Sequence, residues 1–178
     1  MAGIEDFKSK LTGGGARPNL FRVTLAWPGA SGFDQEKASF LIKGATLPAS
    51  VIGTVEVPFR GRKLKIAGDR TFETWTITVI NDNNMVIRTA FENWMNLINA
   101  HSANVSAYVG NQSLGYMAQM QVQQLDRSEN VLKEYTFVDA YPINVSAIEL
   151  SYDTTDAIEE FTVELNYQYW TDEVNNIF

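Results

Sequence analysis

The chain has 178 residues, 45% hydrophobic and 20% charged, which suits one folded domain with an apolar core and excludes a disordered chain. It has no cysteine and a single histidine, His101, so disulfides, thiolate nucleophiles and multi-histidine zinc sites are excluded. A net charge of −7 argues against tight nucleic-acid binding, which needs lysine and arginine to displace phosphate counterions.

The opening MAGIEDFKSKL lacks the apolar stretch of a secretory signal. No later segment reaches the ~20 apolar residues of a membrane span. The expectation is a soluble protein made in a cytoplasm, one domain over 1–178 with an amino-terminal arm (1–16) and a carboxy-terminal tail (171–178). Ile4, Phe7 and Leu11 share one helical face of that arm. Gly13, Gly14 and Gly15 free it from the body, so its apolar stripe is placed to dock on a neighbour.

From Leu20 the pattern turns to period two. Phe21, Val23, Leu25 and Trp27 alternate with Arg22 and Thr24. Phe40 and Ile42 begin a second strand, and Val51, Val55, Val57 and Phe59 line a longer one, where Pro58 implies an edge or a bulge. The basic run Arg60, Arg62, Lys63, Lys65 and Arg70 follows; it lacks the interleaved aromatics of a nucleic-acid surface. Trp75, Ile77 and Val79 alternate with Thr74, Thr76 and Thr78.

One segment changes period. After Asn81-Asp82-Asn83-Asn84, which supply N-cap candidates, Ile87, Phe91, Trp94, Met95 and Ile98 form a helical stripe that should lie across a sheet. Removing Trp94 from such a stripe costs about 3–5 kcal/mol. Residues 101–115 read as a surface loop. Strand patterns resume at Ala118, Met120 and Val122, at Tyr135 and Phe137, and at Ile143, Val145 and Ala147. The last is the clearest, with Phe161, Val163, Leu165, Tyr167 and Tyr169 set against Glu160, Thr162, Glu164, Asn166 and Gln168. Such alternation marks antiparallel sheet with one wet and one buried face.

Charge is divided along the chain. Residues 1–125 hold 12 basic and 9 acidic side chains, a balance of +3, whereas 126–178 hold 2 basic and 12 acidic, a balance of −10. Opposed potentials suit a molecule that meets copies of itself head to tail.

Chemistry finds little footing. His101 follows the helix, where capping explains it. Neither G-x-x-x-x-G-K-[ST] nor G-x-G-x-x-G occurs. Asp153, Asp156, Glu159 and Glu160 lack the calcium-loop spacing and lie where a turn should be. The sequons at Asn104, Asn111 and Asn144 carry no meaning without a secretory signal. No enzyme, cofactor or metal is expected.

The core GDRTF-x-x-W-T-x-T-V (Gly68–Val79), with ARPNLFRVTL (Ala16–Leu25), KGATLPAS (Lys43–Ser50) and the strand ending Tyr169-Trp170, resembles the tail tube proteins of contractile-tailed bacteriophages. The resemblance implies a mainly β fold, an antiparallel barrel or sandwich with one flanking helix, assembling as hexameric rings stacked into a hollow cylinder. It implies a virion-tail protein assembled in the host cytoplasm, whose partners are itself, the sheath protein, baseplate and tail-terminator proteins. Double-stranded DNA would pass through it without specific binding.

Residues 44–68 become the main assembly loop on this resemblance. The expected subunit contacts are Leu47, Pro48, Val51, Val55, Phe59, Arg60, Arg62, Lys63, Lys65, Asp69 and Arg70, with Ile4, Phe7 and Leu11 of the arm. Glu160, Thr162 and Glu164, then Glu149 and Thr76, are the expected lumen-facing residues, because an acidic wall does not hold phosphates. A tailocin or type VI secretion tube would share this architecture. A monomeric barrel binding a small apolar ligand is the alternative of a different class.

Overall fold

The period-two segments do form sheet, but not every apolar face is covered. The computed structural model of the chain describes residues 3–11, 15–28, 35–108 and 114–172. In chain order these form α1 (Ile4–Lys10), β1 (Phe21–Leu25), α2 (Gln35–Leu41), β2 (Ile42–Ala45), β3 (Val51–Phe59), β4 (Arg62–Thr71), β5 (Trp75–Ile80), α3 (Val86–Ile98), β6 (Ala118–Leu125), β7 (Val131–Val145), β8 (Glu160–Asn166) and β9 (Tyr169–Asp172). Among the described residues, seven strands make one antiparallel sheet in the order β1-β6-β7-β8-β5-β2, with β9 also on β7, and β3 and β4 stand apart as a hairpin.

The 15-residue strand β7 joins the two halves of the sheet. Its first part, up to Ala140, pairs with β6, and Tyr141–Val145 pairs with β8. The register shifts between Pro142 and Asn144, as a proline without an N–H donor requires in a central strand. The bend brings both halves onto one core, where Phe137 of β7 stacks on Trp75 of β5 with ring centroids 4.2 Å apart. Val23, Leu25, Ile77, Val79, Met120, Val122, Phe161, Val163 and Leu165 complete that core, all buried.

The fold is mainly β and its main sheet is antiparallel. The barrel expected as one of its forms does not close among the described residues, since β1 and β2 end the strand order without pairing. Each therefore keeps one row of backbone donors and acceptors outside the ladder.

The stripe on α3 lies as expected: Ile87, Phe91 and Trp94 are buried and Trp27 packs against the last two, with centroids 4.8 and 5.1 Å away. Its cap differs in detail. Met85, with φ 49°, occupies the N-cap position, and Asp82 accepts the Val86 N–H at 3.2 Å. Lys37 of α2 reaches the same carboxylate at 2.5 Å and, with the Val86 N–H, holds Asp82 below its ordinary pKa.

Three expectations are corrected. The single helix expected against the sheet is accompanied by α2, seven residues long, while α1 lies on the arm where a helical face was expected. Phe40, expected on a strand, is exposed on α2, which buries Ala38 instead. The last strand is two: after β8 the chain crosses at Tyr167 and Gln168 and adds β9 to β7, so Thr171 and Asp172, expected in the tail, close a strand. The buried Asp172 there pairs with Lys133 at 2.8 Å. Residues 173–178 lie outside the described residues, as do Gly13 and Gly14 of the tether.

Candidate assembly surfaces

The β3–β4 hairpin is built by its turn. Arg60 and Gly61 carry φ of 47° and 81°, the two left-handed residues that a two-residue hairpin turn needs. From that turn the register runs Phe59↔Arg62, Pro58↔Lys63, Val57↔Leu64, Glu56↔Lys65 and Val55↔Ile66. Alternation then sorts the faces: Val55, Val57, Phe59, Leu64 and Ile66 lie on one, and Glu56, Pro58, Lys63 and Lys65 on the other. Lys63 and Glu56 are ion-paired at 2.5 Å on the polar face. A shift follows at Gly53, where a Cβ on the facing Gly68 would lie 3.2 Å from the Gly53 backbone.

Among the described residues, the apolar face of the hairpin is left largely uncovered. Val55 is 52% exposed, Phe59 67% and Leu64 61%, values that belong to an interface and not to a core. Among the described residues both strands pair only with each other, so two ladder edges are also open. The expected rule of one buried face fails here for that reason.

The base of the hairpin is held by side chains of the body. The Trp75 indole donates to the Thr46 carbonyl at 2.7 Å, and the Trp170 indole to that of Ala49 at 3.2 Å. Arg70 donates to the Ser50 hydroxyl at 3.2 Å. Leu47, Pro48, Val51, Asp69 and Arg70 of the expected contact set lie along this base, while Arg60, Arg62, Lys63 and Lys65 lie at the tip. The basic run hides Leu64 and Ile66, whose alternation with Lys63 and Lys65 was the signal that could have revealed the second half of the apolar face.

A second surface is the outer face of β5 and β8. Thr76 lies opposite Glu164, Thr78 opposite Thr162, and Ile80 opposite Glu160, all on the face away from the buried Ile77, Val79, Phe161 and Val163. Four of the five expected lumen residues are thus neighbours. Glu160 is engaged, its carboxylate 2.5 Å from Lys43 of β2. Glu149 is not on this face; it lies in the exposed segment between β7 and β8. That segment also carries Leu150, Tyr152 and Ile158, exposed by 81, 105 and 72%, which no periodicity reveals.

Ile4 and Phe7 of α1 and its C-cap residue Leu11, the residues of the expected stripe, are exposed by 79, 65 and 44%. Asp6 accepts the Gly3 N–H at 3.0 Å and so steadies the first turn. His101 is exposed beyond α3, its backbone N–H donating to the Asn96 side chain at 3.1 Å. Among the described residues no group of three or more histidine and acidic side chains could hold a metal, and no helix is long and apolar enough to cross a membrane.

Residues 16–173 match the family model described as phage tail tube protein. The chain belongs to that family. It is 33% identical over 156 residues to tail tube protein gp19 of Enterobacteria phage T4, covering 87% of this chain and 90% of the relative. The resemblance carried by Gly68–Val79 therefore holds for nearly the whole chain, and the protein is a tail tube subunit of the phage virion. In fold it is similar to a chain of the anti-feeding prophage baseplate (TM-score 0.65, 14% identity, 89% of this chain and 95% of that one). It is likewise similar to a chain of the sheath–tube complex of an extracellular contractile injection system (TM-score 0.59, 12% identity, 93% and 96%).

Proposed function

We propose that six copies of the chain close into a ring, and that rings stack into the hollow tube through which double-stranded DNA leaves the virion inside a contractile sheath. The observation that carries this reading is the hairpin, with its bare apolar face and two open ladder edges. Together with the unpaired sides of β1 and β2 and the exposed stripe of α1, it leaves the subunit with more unfinished surface than a monomer tolerates. Copies of the same chain complete such surfaces when they close symmetrically.

Within that tube the outer face of β5 and β8 is the wall of the bore. Thr76, Thr162 and Glu164, with Glu160 at the end of the strand pair, give a polar, acidic lining that repels phosphates. The opposite exterior, including the groove of Trp27, Val86, Ala90 and Leu97 along α3, meets the sheath protein. The tube ends meet baseplate and tail-terminator proteins. Assembly takes place in the host cytoplasm, and the chain works as structure without a reaction, cofactor or metal.

The phage reading is favoured over a tailocin or type VI tube by the relatedness in sequence to a phage tail tube protein. Negative-stain imaging of the purified protein tests it. Rings or long cylinders are expected. A stable, monodisperse particle of the 19.9 kDa chain, with no polymer even on a baseplate seed, would return the reading to the monomeric ligand-binding barrel.

A further inference from the structure

We propose that residues 167–172 are a clasp that sets the pose of the β3–β4 hairpin within its own subunit, and that the ion pair between Asp172 and Lys133 keeps the clasp closed. The clasp needs only a single chain. Its use in assembly rests on the tube reading above.

The hairpin joins the body through two connections, residues 46–50 and 72–74. Among the described residues its strands pair only with each other, so no shared ladder fixes its angle to the sheet. Along the first connection Trp75 holds Thr46, directly after β2, and the bond from Arg70 to Ser50 lies within the hairpin's own base. Two residues before β3 begins, the Trp170 indole donates to the Ala49 carbonyl at 3.2 Å. On the second connection Phe72 directly follows β4 and meets the Tyr167 ring edge-on, with centroids 6.0 Å apart. Leu47, Pro48, Glu73 and Thr74, from both connections, line one hollow with Tyr167. Two side chains three residues apart thus grip both connections.

They are not held alike. Tyr167 is buried and packs edge-on against Phe137 of the core at 4.9 Å. Trp170 depends on β9, a strand of four residues that pairs only with β7 among the described residues. Trp170 lies opposite Phe137 and Asp172 opposite Tyr135, so the two side chains share a face of β9. The Trp170 ring meets Tyr135 edge-on at 5.3 Å. The strand then ends on the buried Asp172 carboxylate, 2.8 Å from Lys133. A hydrogen bond to that carboxylate holds the Lys133 amine above its ordinary pKa. Short edge strands open readily, and the ion pair opposes this at the end where β9 has no further residue on the ladder. Loosening it frees, two residues back, the indole that holds Ala49. A hairpin kept at one angle loses less freedom when it meets another copy, so the same contact binds more tightly.

The test measures the angle directly. The chain has no cysteine, so Lys65→Cys and Asn93→Cys place one spin label on the hairpin and one on the exposed side of α3. Pulsed electron resonance on the dilute, unpolymerised subunit reads the spread of their separation. Trp170→Phe keeps an aromatic ring and deletes the N–H; it should broaden that spread about twofold, as loss of a local tie does. Asp172→Asn should broaden it as well. The two together should go no further than the broader single variant, because both act through one bond. In the unlabelled protein Trp170→Phe should raise the concentration at which tubes sediment about threefold or more.

An unchanged spread in Trp170→Phe, or a combined variant in which the two broadenings add, would overturn the clasp. A broader spread with an unchanged tube threshold would overturn its role in assembly. Wild-type protein that never polymerises would remove the tube reading, and the distance measurement would still decide the clasp. Should Asp172→Asn lose the far-ultraviolet circular dichroism of the folded sheet, Thr171→Gly loosens the same strand without touching the ion pair. It should broaden the spread in wild type and add nothing to Trp170→Phe, and an unchanged spread would again overturn the clasp.

Discussion

The indole of Trp75 does two things at once: its ring stacks on Phe137 in the core, and its N–H donates to the Thr46 carbonyl at the root of the hairpin. One side chain thereby connects packing in the body to the placement of the surface offered to other copies. Replacing it with phenylalanine separates the two roles. Trp75→Phe should lower subunit stability by about 1–2 kcal/mol through the lost hydrogen bond and reduced ring area. Hydrogen exchange should quicken most at residues 46–52, and equal quickening throughout the sheet would show that the bond does not position the hairpin.

The turn at Arg60 and Gly61 offers a perturbation confined to the hairpin. Gly61 has φ 81° with open space where a Cβ would stand, so the penalty of a side chain is conformational and not steric crowding by neighbours. Gly61→Val should strain the turn by on the order of 1–2 kcal/mol. Because among the described residues the strands pair only with each other, the global unfolding free energy should move by less than about 0.5 kcal/mol while tube yield falls. Denaturant titration and sedimentation, run on the same preparation, separate these outcomes.

Asp82 ties α2 to the start of α3, and its carboxyl is held below the ordinary value by Lys37 and the Val86 N–H. A depressed folded pKa contributes stability that is present above the unfolded value, near 3.8, and is lost as pH falls through the folded one. Asp82→Asn should therefore lower Tm at pH 6, with the gap to wild type closing as pH drops below about 4. A gap that stays constant between pH 6 and pH 3 would show that the charge is not what matters.

Glu164 is the better probe of the proposed bore, since Glu160 is already committed to Lys43. Glu164→Lys should leave particle assembly within about twofold of wild type and slow DNA release severalfold, because in the proposed ring the added lysines would hold passing phosphates. Dye-monitored ejection from purified particles measures this. Collapse of assembly instead would put the β5–β8 face at a subunit contact.

Trp94 tests the stripe on α3. It is buried, and its indole donates to the Tyr116 carbonyl at 2.7 Å. Trp94→Ala should cost about 3–5 kcal/mol in chemical denaturation. A loss under 1 kcal/mol would mean that the helix is not docked as described.

Much of this was legible in the residues, and the reasons for the gaps differ. Trp75, Ile77 and Val79 against Thr76 and Thr78 reveal a strand and its buried face together, because that face is covered by the same chain. Val51, Val55 and Val57 have the same pattern, and the inference of burial fails because alternation records a difference between faces without saying which molecule covers one. The helix α2 is too short for a 3.6-residue period to emerge, with Ala38 its one buried residue. Leu150, Tyr152 and Ile158 follow no period, so nothing in their spacing marks them as exposed together. The crossing at Tyr167 and Gln168 is invisible for the opposite reason: the alternation continues unbroken while the strand changes partner.

The sharing of β7 between β6, β8 and β9 has a mechanical consequence. Neither half of the sheet can peel away without stripping hydrogen bonds from a strand the other half needs, so a tug applied to one edge is spread across the seam. Such a subunit should yield in a single step under force, not shed strands one at a time. For a part threaded into a long column and driven axially, giving way late and all together is the useful way to be stiff.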